Sequence, residues 1–159
     1  MERCSEMQKV IFIELSVDRK DQFITDITES LHQTGKKIHI YASSQSALKK
    51  IDQLLWVRKP DSFLPHIIIS KIDSDSTKPI EPILLIDQPV DVVGDVLILN
   101  DPMELSQIGA YPMIIDFAET YDAQRLQASR QRYKIFRDSG RFELSFEKFG
   151  SFLKLIKSL

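Results

Sequence analysis

Arg130, Lys134 and Arg137 stand four and three residues apart in a helix-patterned segment, so on a helix their cationic heads share one stripe. Tyr133 and Phe136 fall beside that stripe and offer it an aromatic floor. Between Tyr121 and Arg141 there are six cations (Arg125, Arg130, Arg132, Lys134, Arg137, Arg141) and two anions (Asp122, Asp138). That local net of +4 leaves −6 for the rest of a chain whose total is −2. A small basic groove on an acidic body suits an anionic peptide with one large apolar side chain, or a short single strand of nucleic acid. A solvated helix face is the plainer reading of the same charges. The acidic remainder opposes a polyanion along its length. A short acidic peptide escapes most of that repulsion, because screening confines the field to about 8–10 Å.

A second segment, Leu54 to His66, holds the only tryptophan, Trp56, at a helix end. Phe63 and Leu64 follow in a polar, proline-containing loop. Tryptophan and phenylalanine near an arginine are the residue types of interface hot spots. Capping of the core is the alternative.

Chemistry of other kinds finds little support. A dinucleotide or P-loop site needs glycines after the first strand, so that backbone N–H groups can approach phosphate. Here that strand is followed by Ser16-Val17-Asp18-Arg19-Lys20, and the first glycine is Gly35. His32, His39 and His66 show neither helical pairing nor an HExxH pattern, so no metal site and no cofactor is expected. The single cysteine, Cys4, excludes an intramolecular disulfide and lacks a catalytic context. Asp116 reads as the punctuation at a strand's end. An acid–base enzyme centred on Asp116 and His66 is kept as a rival to a binding module.

The elements that must position these residues follow from periodicity. Lys9–Leu15 is a β-branched, apolar strand. Asp18 or Asp21 can cap a helix to about Gln33, stopped by Gly35. Lys37–Ala42 is a second strand, and Ser43 or Ser44 caps a helix ending near Trp56. Ile67–Ile69, Ile83–Ile86, Val96–Leu99 and Met113–Ile115 are further strands, the last ending at Asp116. Lys71–Pro82 is mostly a polar loop, and a long helix covers about 122–138 before Gly140. The tail Arg141–Leu159 has Phe146, Phe149, Leu153, Ile156 and Leu159 at three- and four-residue spacing, which predicts a final amphipathic helix. Strand–helix alternation predicts an α/β fold: a three-layer α/β/α sandwich around about five mostly parallel strands. With 159 residues, 43% hydrophobic and 28% charged, one globular domain is expected, spanning 1–159. The longest apolar run near the start, Val10–Ile13, is too short for a membrane span or signal core. The expectation is a soluble, cytoplasmic protein of a reducing compartment.

Three blocks carry a resemblance to a known family. They are Thr34-Gly-Lys-Lys-Ile-His-Ile40; Lys50-Ile-Asp-Gln-Leu-Leu-Trp56 with Ser62-Phe-Leu-Pro-His66; and Ile114-Ile-Asp-Phe117 with Arg130-Gln-Arg-Tyr-Lys134. In order and spacing these resemble the chi subunit family of bacterial DNA polymerase III, a clamp-loader accessory, over about residues 9–140. Lys71–Tyr111 agrees mainly in strand pattern, notably Asp95–Leu99. The resemblance implies a Rossmann-like adaptor without a nucleotide-binding loop and without catalysis of its own. It implies two partners: the psi subunit, which tethers the family to the clamp loader, and the acidic C-terminal tail of single-stranded-DNA-binding protein. Carried over residue by residue, tail binding falls to Arg130, Tyr133, Lys134 and Arg137, and psi binding to Trp56 and Phe63. The alternative is direct single-strand binding through the basic helix 122–138. Two departures stand out. The interval from Asp116 to Tyr133 is one residue longer than the family pattern, which aligns a family cation with Leu126 beside Arg125. The extension Arg141–Leu159 has no family counterpart, and packing onto the domain is its favoured role.

Overall fold

The computed structural model describes residues 7–57, 64–69 and 79–158. Phe63 lies outside the described residues, as does most of the expected loop after Lys71. Seven strands appear: β1 (Gln8–Leu15), β2 (Ile38–Tyr41), β3 (His66–Ile69), β4 (Ile83–Ile86), β5 (Val96–Leu99), β6 (Met113–Glu119) and β7 (Phe142–Lys148). The helices are α1 (Lys20–Gln33), α2 (Gln45–Trp56), α3 (Ala123–Ser139) and α4 (Phe149–Lys157). All seven strands run parallel in the order β3-β4-β2-β5-β6-β1-β7. The expected α/β class and layering hold; the sheet has seven strands among the described residues where about five were expected, β7 being the one that no apolar run marked as a strand.

Helix starts and stops follow local chemistry. The Ser44 hydroxyl accepts from the Ala47 N–H at the start of α2, and the Asp122 carboxylate accepts from the Arg125 N–H at the start of α3. Gly140 ends α3 at φ +72°, a left-handed backbone that a side chain would strain. At α1 the expected aspartate cap is absent: the N-cap is Arg19, with no side-chain cap bond, and Asp21 sits in the first turn.

The two faces of the sheet are covered unequally. Helices α1, α2 and α4 pack on one face over Ile11, Ile13, Ile38, Ile40 and Ile98. On the other face α3 is the only α-helix among the described residues, over Val10, Phe12, Ile114 and Phe142, and the segments on either side of β5, 87–95 and 100–112, cover the rest. Alternation along β1 explains the division, since Val10 and Phe12 point one way and Ile11 and Ile13 the other.

The tail differs from its sequence pattern. Its apolar spacing fits a helix, yet Phe142–Lys148 is a strand and only Phe149–Lys157 is helical. The free edge of β1 wins: β7 pairs with it from Gln8↔Phe142 to Glu14↔Lys148. Helix α4 then packs back on the domain. Phe149 meets Phe23 edge-on at 4.4 Å, and Phe152 and Ile156 are fully buried.

A histidine is built into the core of the α3 face. His39 Nδ1 lies 2.6 Å from the Tyr111 hydroxyl, and a Cβ on Gly94 would fall 2.8 Å from His39 Nε2. Burial lowers the imidazole pKa from 6.5 to about 4, against the opposing pull of Asp95, and pushes the Tyr111 hydroxyl up to about 12. The folded state therefore holds His39 neutral where the unfolded chain would take a proton. Stability is complete above about pH 6.5 and falls as pH drops toward 4. Urea midpoints between pH 7 and 5 should show this slope, and His39→Gln should flatten it. An equal slope in the variant would assign the acid sensitivity to another group.

Candidate functional site

Helix α3 is held to β6 by its own arginine. Arg132 Nε donates to Asp116 Oδ2 at 3.0 Å, and Nη2 donates to the Phe117 carbonyl at 3.0 Å. Ser129 Oγ accepts from the Glu119 N–H at 3.2 Å and from Arg132 Nη2 at 3.2 Å. Asp116 is 3% exposed. Burial pushes its carboxyl above the ordinary value, and Arg132, the Phe117 N–H and Lys20 pull it back. Asp116 thus lies inside β6, which runs on to Glu119 rather than stopping there.

This anchoring sorts the cations of α3. Ser129 and Phe136 face the sheet and are buried. Helical periodicity then puts Arg132 and Ile135 on one flank, and Arg130, Tyr133 and Arg137 on the other. The first flank looks toward β5, because Arg132, Ile135 and Phe136 line a cavity of about 340 Å³ with Leu99, Met103 and Leu105. The second flank therefore looks toward β1 and the edge strand β7.

Of the four residues proposed from sequence for an acidic peptide, Arg130, Tyr133 and Arg137 share that second flank, and Lys134 lies on the adjoining solvent face, nearly opposite the buried Ser129 and Phe136. Arg130, Lys134 and Arg137 are exposed, while Tyr133 is half-buried with its ring 5.2 Å from Phe12 in an edge contact. Arg130 and Lys134 have no ion-pair partner among the described residues; Arg137 makes a solvent-exposed pair with Asp138 at 3.3 Å. Phe136 does not contribute to the expected aromatic floor. It is 3% exposed, packed between Phe12 and Phe142. Nor does Arg125 join the stripe, since its Nη1 donates to Glu119 Oε2 at 3.3 Å.

At the carboxyl ends of the strands, where doubly wound sheets place ligands, a polar cavity of about 350 Å³ is lined by Asp18, Lys20, Lys50, Asn100, Tyr121 and Arg125, and several of these side chains bond one another or Glu119. Lys20 Nζ donates to the Asn100 carbonyl at 2.9 Å and to Glu119 Oε1 at 3.0 Å. Tyr121 donates to Glu119 Oε2 at 2.7 Å. Burial alone would raise the Glu119 carboxyl, but Tyr121, Lys20 and Arg125 outweigh it and hold it below the ordinary value. The same contact with Glu119, together with burial, raises the Tyr121 hydroxyl.

The second sequence segment is partly described. Trp56 ends α2 with 56% of its surface exposed and its ring 4.7 Å from His66. Val57 beside it is also exposed, at 61%. His66 Nε2 is 2.9 Å from Asp52 Oδ1, and Nδ1 is 2.6 Å from the Leu64 carbonyl. His66 and Asp116 do not form one site. Strands β4, β2 and β5 separate β3 from β6, a distance of roughly 19 Å. Among the described residues no three His, Cys, Asp or Glu side chains converge as metal ligands, and no helix is long and apolar enough to cross a membrane.

The arrangement defines a parallel α/β/α domain with ion pairs lining its carboxyl-end crevice and a basic helix flank beside an edge strand. The family model for the DNA polymerase III chi subunit, HolC, matches residues 7–143, and the chain belongs to that family. DNA polymerase III subunit chi of Haemophilus influenzae is 31% identical over 131 residues, covering 82% of this chain and 88% of the relative. The Escherichia coli K12 subunit is 25% identical over 120 residues, covering 76% and 80%. Family membership makes this a DNA polymerase III subunit with an accessory role in DNA replication. Two solved structures share the fold at low identity. The C-terminal domain of a Saccharomyces cerevisiae Dbp5 variant has TM-score 0.57 and 12% identity, covering 97% of this chain and 98% of its own. T4 UvsW has TM-score 0.51 and 10% identity, covering 89% and 41%.

Removing Arg132 leaves a buried carboxylate unpaired. Arg132→Ala should cost about 3–5 kcal/mol in urea denaturation, while Asp116→Leu with Arg132→Met should cost less than Arg132→Ala. A loss under about 1 kcal/mol for Arg132→Ala would show that the pair does not hold α3 in place.

Proposed function

We propose that the protein is a non-catalytic adaptor linking the clamp loader, through psi, to the acidic C-terminal tail of single-stranded-DNA-binding protein. The observation that carries this reading is that Arg130, Tyr133 and Arg137 share one flank of α3 with Lys134 on the adjoining solvent face, and that Arg130 and Lys134 are outside any ion pair among the described residues. Arg130 takes the peptide's terminal carboxylate in a bidentate pair. The family resemblance implies a tail ending in Asp-Ile-Pro-Phe or similar: Lys134 and Arg137 meet its aspartates, and its terminal phenylalanine packs beside Tyr133. Burying that phenylalanine gives about 2–3 kcal/mol, and each charge-assisted contact about 1.5–3 kcal/mol. Ordering a flexible tail opposes this, and micromolar affinity results, about −7 to −8 kcal/mol. Psi docks at Trp56 and Phe63, where the exposure of Trp56 and Val57 supports an interface.

Direct single-strand binding by α3 is the second reading, and the six cations between Tyr121 and Arg141 favour it. Two of them, Arg125 and Arg132, are engaged by Glu119 and Asp116, which weakens it.

Calorimetry with a tail peptide as free acid and as amide tests the first reading. The acid should bind in the micromolar range and the amide should not. Arg130→Ala should weaken the acid more than tenfold and leave psi binding intact; loss of both would indicate misfolding. Equal affinity for the two peptides would remove carboxylate recognition, and no binding of either would leave α3 to another ligand. Trp56→Ala should weaken psi binding with tail affinity unchanged, and unaltered psi affinity would exclude Trp56 from the interface.

A further inference from the structure

Strand β7 carries an aromatic side chain that the fold leaves uncovered. Phe146 is 52% exposed, although its register partner on the neighbouring strand is Phe12, which is 1% exposed. Cα partners in a parallel pair point their side chains to the same face. Phe142, Leu144, Phe146 and Lys148 therefore line the α3 side of β7, and Phe142 and Leu144 already pack in that core. Tyr133 rests on Phe12, so Phe146 lies one strand outward from the Tyr133 contact, on the flank that carries Arg130 and Arg137.

The charges of β7 are sorted the same way. Glu143 and Glu147 alternate onto the opposite face, in register with Lys9 and Ile13. The α3 side of the strand thus presents apolar groups and Lys148, with no carboxylate of its own. The cations on the α3 flank and the exposed aromatic on β7 together complement an acidic peptide that ends in an aromatic residue.

Resting on the tail-binding reading above, we propose that Phe146 and Leu144 form the second wall of that site. The ligand's terminal aromatic side chain then lies between Tyr133 on α3 and Phe146 on β7. The family match ends at residue 143, so this wall is built by the segment beyond it. Phe146 is a specificity residue here: it selects a large apolar terminal side chain, whereas Arg130 selects the terminal carboxylate.

The test uses the full chain and two acidic peptides, one ending in Asp-Ile-Pro-Phe and one with alanine in place of the phenylalanine. Affinities are measured by calorimetry and by 15N amide shifts. Phe146→Ala should weaken the phenylalanine peptide about five- to tenfold and change the alanine peptide by less than about twofold. Phe146→Thr, which keeps a strand-forming residue, should behave like Phe146→Ala, and amides of Leu144–Lys148 should shift on titration of the wild type. If Phe146→Ala binds the phenylalanine peptide as the wild type does while Arg130→Ala loses it, the strand wall is wrong and tail binding stands. The strand wall is equally wrong if both peptides weaken alike. If the wild type binds neither peptide, tail binding falls and this inference with it.

Discussion

Among the described residues α3 is the one α-helix on its face of the sheet, and a buried ion pair fixes its rotation. With no second helix beside it, apolar packing through Phe136 and Tyr133 would tolerate some roll about the helix axis. Arg132 removes that freedom by reaching Asp116 and the Phe117 carbonyl on β6 at once. A buried pair of this kind contributes little net stability against an apolar replacement, but it specifies one arrangement. The arrangement it specifies sends Arg130 and Arg137 toward β7 and Ile135 toward β5. The character of the exposed flank is thus set by a residue on the opposite side of the same helix.

The same cluster accounts for the missing phosphate cradle. Lys20, at the start of α1, turns inward to Glu119 and the Asn100 carbonyl instead of outward to an anion. Tyr121 and Arg125 complete the neutralisation of Glu119. The crevice keeps the position typical of doubly wound sheets while its polar groups satisfy one another.

Much of this was legible in the residues. The strands near 9–15, 37–42, 83–86 and 96–99, a serine cap at 43 or 44 and the stop at Gly140 follow from local chemistry, which acts over a few residues. The stripe of Arg130, Lys134 and Arg137 follows from helical spacing alone. Two features did not follow, for a shared reason. Phe142–Lys148 has apolar spacing compatible with a helix, and only the open edge of β1, more than 130 residues earlier, makes it a strand. Arg132 counts with the other cations in sequence, and only its distance to Asp116 withdraws it from the surface. Both are decided by long-range contacts that no local pattern encodes. Phe146 was visible as one of a periodic apolar set, but its exposure depends on its lying beyond the reach of α3.

The placement of β1 has a consequence for synthesis. Both neighbours of the first strand, β6 and β7, come from the last third of the chain. While the intervening residues emerge, the β-branched Val10–Leu15 stretch has neither edge paired. At roughly 5–20 residues per second, the interval from Leu15 to Met113 lasts roughly 5–20 s. Late in that interval, once β4 and β5 have been made, β2, β4 and β5 can assemble as a partial sheet, leaving the N-terminal strand as an apolar segment in need of protection. Insertion of β1 between β6 and β7 is then a late step that closes the sheet. The nascent chain, more than the finished molecule, is where this topology makes demands on the cell.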